Sequence, residues 1–250
     1  TTAHYLDAAY YDQAYRRRRQ DVRFYAETVA TLGGPVLELG VGTARVALAM
    51  AQTGAEIVGV DSMESMLARA RERIARAPKM VRERIALRQG DLRSLRLRKK
   101  FPLVVSPFNV LMHLYSRQDW EKALATVKAH LAPKGHFVFD ILLPDPFMLS
   151  RDPDRKFSGG KVRHPSDGKL YKYTEQYEYD PKTQIQTVTM EFHRRGRVIQ
   201  TPLTHREIFP AELEALLHYN GFRIEDHYGD FERGPLDRYS ESQVVIARRR

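Results

Sequence analysis

The chain contains no cysteine, which excludes a disulfide framework and a zinc–thiolate centre. No run of eighteen apolar residues occurs, so the sequence offers no membrane-spanning helix. The first residues, Thr1-Thr2-Ala3-His4-Tyr5-Leu6-Asp7, lack a basic segment followed by an apolar stretch. No signal peptide is therefore expected, and a cytoplasmic location is the default. Internal repeats and low-complexity tracts are missing as well. Acidic residues are in deficit: 41 Lys plus Arg face 31 Asp plus Glu, a formal net charge of +10. Such an excess can attract nucleic acid or anionic substrates. Here arginine is spread over the whole chain, with short runs at 16–19, 96–100 and 248–250. That distribution favours a solvated surface over a dedicated patch.

What is present is an alternation of strands and helices. With 250 residues the chain suits one domain, or a core with one substantial insertion. Residues 4–31 read as an amphipathic helix, stopped by Gly33-Gly34-Pro35. Strands are expected at 36–39, 56–60, 84–89, 103–106 and 136–142, with helices between them, a parallel sheet with crossover helices. After Pro144 the texture changes. Residues 144–168 read as loop. Residues 171–179 then alternate strictly, with Tyr171, Tyr173, Tyr177 and Tyr179 on one face. Two further strands, 185–193 and 198–208, complete an antiparallel meander. A helix from Pro210 and strands at 222–228 and 242–248 close the chain.

The junction Val36-Leu37-Glu38-Leu39-Gly40-Val41-Gly42-Thr43-Ala44 runs an apolar strand through an acid into a glycine turn and a helix start. A second apolar run, Glu56-Ile57-Val58-Gly59-Val60-Asp61, ends in another acid. Glycines at such a turn let the backbone approach a ligand, and an acid ending the next strand can accept two ribose hydroxyls. The pattern is a nucleoside-cofactor site on a doubly wound α/β sheet. A dinucleotide fingerprint would space its glycines G-x-G-x-x-G. Here the acid comes first, and Ala44 stands where a third glycine would fall.

This arrangement resembles motif I of class I S-adenosylmethionine (SAM) methyltransferases, E/D-x-G-x-G-x-G. Val60-Asp61-Ser62-Met63 looks like the family's ribose-and-adenine strand end, and Gln89-Gly90-Asp91-Leu92 like its G-D-[LM] turn. Ser106-Pro107-Phe108-Asn109 falls where the family lines the methyl-transfer site, and Leu131-Ala132-Pro133-Lys134-Gly135 resembles its L-x-P-G-G turn. The resemblance implies a seven-stranded Rossmann-like sheet with an antiparallel β lid inserted after strand five. Its segments would be a helical cap at 1–34, a SAM-binding core at 35–145, the lid at 146–209 and the rest of the sheet at 210–250. It implies SAM as cofactor and S-adenosylhomocysteine as product. Glu38, Gly40 and Gly42 would hold the methionyl part and Asp61 the ribose. Ser62, Met63, Asp91 and Leu92 would frame the adenine, with Pro107 nearby. Arg18 would hold the cofactor carboxylate, or else lie on a basic helix face.

Within the family the organisation is similar to nucleotide-sugar amino N-methyltransferases and glycine N-methyltransferase-like enzymes, whose N-terminal helix carries Y-D-x-x-Y, here Tyr11-Asp12-Gln13-Ala14-Tyr15. Tyr11 joins the cofactor set on that basis. On the acceptor side the candidates are Tyr11, Asn109 and His113. Asn109 and His113 stand one helical turn apart after strand four, and an imidazole can take a proton near neutrality. The bland alternative is a histidine that packs the base of that turn. No metal is expected. The reaction expected is methyl transfer to N or O of a small molecule, with no specific nucleic acid, no membrane and a homodimer left open. RNA methylation and SAM binding without turnover are the alternatives.

Overall fold

The structure, a computed structural model, describes residue 12, residues 18–164 and residues 167–250. Seven strands form the main sheet: β1 (Val36–Leu39), β2 (Ile57–Asp61), β3 (Ile85–Gln89), β4 (Phe101–Ser106), β5 (Leu131–Leu142), and, after an insertion, β10 (Phe222–Tyr228) and β11 (Ser242–Arg249). Their order is β10-β11-β5-β4-β1-β2-β3. β1 to β5 are parallel, while β11 runs antiparallel between β5 and β10. All four residues of β1 are buried, as expected of a central parallel strand covered on both faces.

Helices α1 (Gln20–Leu32), α2 (Arg45–Gln52) and α3 (Glu64–Ala75) cover one face of this sheet. A short turn of helix, α4 (Lys79–Arg82), precedes β3. The other face is covered by α5 (Arg117–His130) and α7 (Pro210–Tyr219), with the fully buried Trp120 at its centre. Alternation along β1 sends Leu37 and Leu39 to the Trp120 side and Val36 to the α1–α2 side. Glu38 shares the face of Val36. Ile57 of β2 packs on that same side, and by the same period Asp61 does too. Two acids thus lie on one side of neighbouring strands.

The insertion holds α6 (Pro146–Leu149) and an antiparallel sheet of β6 (Phe157–Arg163), β7 (Leu170–Asp180), β8 (Ile185–Arg194) and β9 (Arg197–Arg206). One of its faces gathers Tyr171, Met190, Phe192 and Leu203. Three expectations need correction. Residues 144–168, read as loop, contain α6 and β6. β6 escaped notice because it is an edge strand with a bulge between Ser158 and Lys161, where Gly159-Gly160 break the alternation. The helix expected over 4–31 is not continuous, because Arg18 and Arg19 are not helical and α1 begins at Gln20. Arg45 bonds the Arg18 carbonyl there and pairs with the buried Asp21. The remainder of that expected helix, other than Asp12, lies outside the described residues. Finally, the turn at 131–135 is a bulge within β5, since Phe101 pairs with Leu131 and Leu103 with His136.

Candidate active site

The carboxyl ends of β1 to β4 open onto a cavity of about 330 Å³. This is where ligands lie on open α/β sheets. Gly40 and Gly42 contribute the first wall, and Asp61, Ser62 and Met63 come from the end of β2. Asp91 and Leu92 follow β3, while Pro107 and His113 follow β4. The first turn needs its glycines. Gly40 and Gly42 have φ of +75° and +53°, and a Cβ on Gly40 would stand 2.4 Å from Val110 Cγ2. Ala44, at the place of a third glycine, also takes the left-handed conformation, with φ 61°.

Asp61 closes this turn from the next strand. Its Oδ2 accepts from the Gly42 N–H at 2.8 Å and its Oδ1 from the Met63 N–H at 2.9 Å. Burial pushes its carboxyl above the usual range, against these backbone donors. With the Ser62 N–H as a further backbone donor, the carboxylate still keeps a lone pair for a ligand hydroxyl. Asp91 is held differently. The guanidinium of Arg93, two residues on, reaches both its oxygens, at 2.6 Å for Nη2 to Oδ2, and also Asp119 at 3.1 Å. That pairing keeps the Asp91 carboxyl below its ordinary value. Glu38 does not line the cavity and lies buried within β1, in register with Gly59. Burial raises its pKa well above normal; Asp61 adds to the rise and Arg45 opposes it. Its Oε2 has no hydrogen-bond partner among the described residues. A buried carboxyl oxygen left unmatched costs stability unless a ligand supplies a donor or a cation. These two acids are acceptors, so they fit a ligand that brings hydroxyl donors to Asp61 and a cationic or N–H group to Glu38.

The remaining predicted residues are dispersed. Asn109 is buried, with a left-handed φ of 61°, and its side chain does not line the cavity. Arg18 also lies outside the lining. Its guanidinium stacks 4.9 Å from the Phe108 ring and 5.5 Å from Phe231, and stands 3.7 Å from Asp21. It faces a second hollow beside the β10–β11 loop. Tyr11 lies outside the described residues. Its neighbour Asp12 accepts from Thr43 Oγ1 at 2.7 Å and pairs with Arg69 and Arg73 at 2.9 and 2.7 Å, beside the glycine turn.

Sequence reasoning missed Arg93, Phe108, Tyr115 and the apolar Met66, Val110 and Leu114 of the lining. Phe108 stood inside the quoted Ser106–Asn109 motif, and Arg93 was signalled only by lying two residues after Asp91. It also missed two contacts from the inserted sheet. His205 of β9 places its ring 5.3 Å from that of His113, and Thr204 meets the Tyr115 hydroxyl at 2.6 Å.

Comparison with known proteins bears on this geometry. Residues 36–135 match the family described as a methyltransferase domain. The dTDP-3-amino-3,4,6-trideoxy-alpha-D-glucopyranose N,N-dimethyltransferase of Streptomyces venezuelae is 29% identical over 137 residues, 52% of this chain and 54% of that protein. The chain thus spans about half the length of that curated relative. The CcbJ methyltransferase from Streptomyces caelestis superposes with a TM-score of 0.78 at 29% identity, covering 92% of this chain and 90% of that one. The glycopeptide N-methyltransferase MtfA, solved with SAM, superposes at 0.66 with 24% identity, over 92% of this chain and 93% of that one, a likeness of fold.

Proposed function

We propose that this chain, a class I methyltransferase by its domain and fold, transfers the methyl group of SAM to an amine nitrogen of a small molecule. The observation that carries the reading is the pair of acids on one side of adjacent strands, Asp61 in the cavity and the buried Glu38, whose Oε2 has no partner among the described residues. SAM combines a ribose diol with a cationic amino-acid end, and its sulfonium supplies an already activated methyl carbon. The residues need only bind, orient and exclude water. Holding acceptor and methyl in line is worth roughly 7–11 kcal/mol, and no metal or thiol is required. In this reading Gly40, Gly42 and Glu38 hold the methionyl end and Asp61 the ribose. Ser62, Met63, Asp91 and Leu92 frame the adenine, and Pro107 borders it. His113, which lines the cavity, faces the acceptor, with Asn109 shaping the turn behind it; Arg18, outside that lining, would reach the cofactor carboxylate only from the neighbouring hollow.

The choice of nitrogen is supported by relatives named as N-methyltransferases of an amino sugar and a glycopeptide. RNA methylation is less well supported, since arginines around the site are engaged by acids: Arg93 with Asp91, Arg45 with Asp21, Arg69 and Arg73 with Asp12. A cytoplasmic homodimer completes the proposal, and light scattering on eluted protein tests the dimer. The decisive experiment has two parts. Calorimetric titration should show binding of SAM and S-adenosylhomocysteine but not of NAD. Tritiated SAM should then label amino sugars, glycine or sarcosine in a panel that includes total RNA. Stoichiometric label in one RNA species, or binding of NAD alone, overturns the reading.

A further inference from the structure

The inserted sheet meets the cavity wall through β9, where His205 sets its ring 5.3 Å from that of the lining residue His113. Strand pairing shows what shares the His205 face. Gln186 of β8 stands directly opposite His205, and Tyr179 of β7 opposite Gln186. Two residues along each strand come Leu203, Val188 and Tyr177, so this row continues the face that gathers Met190 and Phe192. The ladder reaches one pair further. Glu207 donates its N–H to the Gln184 carbonyl at 2.8 Å, the register that follows Ile185 opposite Arg206. Two residues beyond His205, the Glu207 side chain therefore returns to the His205 face, ~7 Å along the strand.

Only 3% of Glu207 is exposed, and its carboxyl has no hydrogen-bond or ion-pair partner among the described residues. Its neighbour Arg206 belongs to the opposite face, where Glu212 Oε1 at 2.5 Å and Gln184 Oε1 at 3.0 Å engage it. Tyr179, Asp180 and Glu212, the other ionisable groups at this corner, bring no positive charge. Burial alone pushes the Glu207 carboxyl up to about 7. Diagonally across the ladder, ~7–8 Å away by strand geometry, the Nε2 of Gln186 is buried and also unmatched among the described residues. Buried polar groups are rarely left without a partner. Here an acceptor and a donor stand unmatched on the one face of the inserted sheet whose foot is the cavity wall.

We propose that Glu207 is an acceptor-binding residue, its carboxylate taking the cationic amino group of the methyl acceptor while Gln186 donates to an oxygen of the same molecule. The inference rests on the proposed methyl transfer to an amine and adds which residues select that amine. The class of acceptor it fits is an amine with an oxygen function close by, as in amino sugars and amino acids. An ammonium group supplies only donors, which the carboxylate accepts, and the amide N–H supplies the reverse.

The test needs no identified acceptor. Carbon-13 NMR of the full chain, with labelled glutamate side chains and saturated with S-adenosylhomocysteine, follows the carboxyl, and the spectrum of Glu207→Gln identifies its signal. The probe is dimethylammonium, compared with sodium at equal ionic strength. A cation beside the carboxylate favours its ionised form, so the Glu207 midpoint should fall by about one pH unit or more in dimethylammonium. Surface carboxyls should titrate alike in both salts. With a labelled amine from the tritium panel, Glu207→Gln should raise the acceptor KM about tenfold or more, with KM for SAM within twofold. Gln186→Leu should raise it less. A Glu207 midpoint equal in the two salts, or an acceptor KM unmoved by Glu207→Gln, overturns the proposal. Failure of the wild type to bind S-adenosylhomocysteine would instead overturn the methyltransferase reading, so the two failures are distinct.

Discussion

Replacing Glu38 with glutamine should move stability and cofactor affinity in opposite directions. The side chain is buried and one oxygen has no partner among the described residues. Its pKa is raised well above the usual value, chiefly by burial. A carboxyl whose pKa is higher folded than unfolded takes stability from the native state as pH climbs from the unfolded value through the folded one. Glutamine carries no such penalty. Ligand-free Glu38→Gln should therefore match the wild type near pH 4 and exceed it at pH 8. The gain should be about 1–3 kcal/mol, the scale of one unmatched buried polar group. With SAM the sign reverses. A cationic ligand group beside Glu38 favours the ionised form, so binding releases a proton and wild-type affinity should rise with pH. A hydrogen bond to a charged group contributes about 1.5–3 kcal/mol, and at 1.4 kcal/mol per tenfold the variant should bind SAM roughly 10- to 150-fold more weakly. Calorimetry in buffers of different ionisation enthalpy reads the proton, and melting curves without ligand read the stability. Unchanged affinity in Glu38→Gln, with no proton released by the wild type, would refute the assignment of Glu38 to the cationic end. A variant merely damaged in folding would lose both quantities together.

Other positions yield simpler expectations. Gly40→Ala forces a left-handed alanine against Val110 and should cost roughly 2–5 kcal/mol in denaturant titrations. Asp61→Asn sets an amide N–H against a backbone N–H, because both oxygens now accept from the backbone; calorimetry should show SAM binding weakened by about tenfold or more, together with a lower Tm. Glu207, buried where β9 meets α7, has its carboxyl pushed up to about 7 by burial alone. Stability is lost as pH rises through that range, so Glu207→Gln should be more stable than wild type by ~3 kcal/mol at pH 8, with no gain at pH 4; equal pH profiles would show that Glu207 is solvated.

The half of the site proposed to hold the cofactor was legible because its parts are local. Gly40, Asp61, Asp91 and Pro107 each lie within two residues of the end of a parallel strand. For β1, β2 and β4 an apolar run covered on both faces announces where that end falls, while at the edge strand β3 the Gly90-Asp91 turn itself marks it. Ala44 marks the limit of this reading. The pattern showed a missing glycine, and the structure shows that the left-handed turn is kept at φ 61°, with the strain falling on an alanine. β6 stayed hidden for the opposite reason: an exposed edge strand with a glycine pair and a bulge has no period to detect.

The acceptor half is long-range, and that is why its residues could only be guessed singly. His113 was found by its chemistry, but Tyr115 acquires meaning only from Thr204, eighty-nine positions away, and His113 meets His205 across a similar gap. Alternation along β9 tells which residues share a face. It does not say which turn of the core that face will meet, because this depends on how the inserted sheet is tied down at Arg206, paired with Glu212, and at Ile208, bonded by Gln243. The two halves are therefore encoded differently. On the proposed reading, the cofactor would be held by short turns that any strand of the sheet can present, whereas the acceptor wall would arise where the insertion returns to the core. If that reading holds, substitutions within β9 should change which acceptor is used while leaving SAM affinity, set at the turns of Gly40, Asp61 and Asp91, unchanged; a Thr204 or His205 variant that lost SAM binding in calorimetry would refute the division.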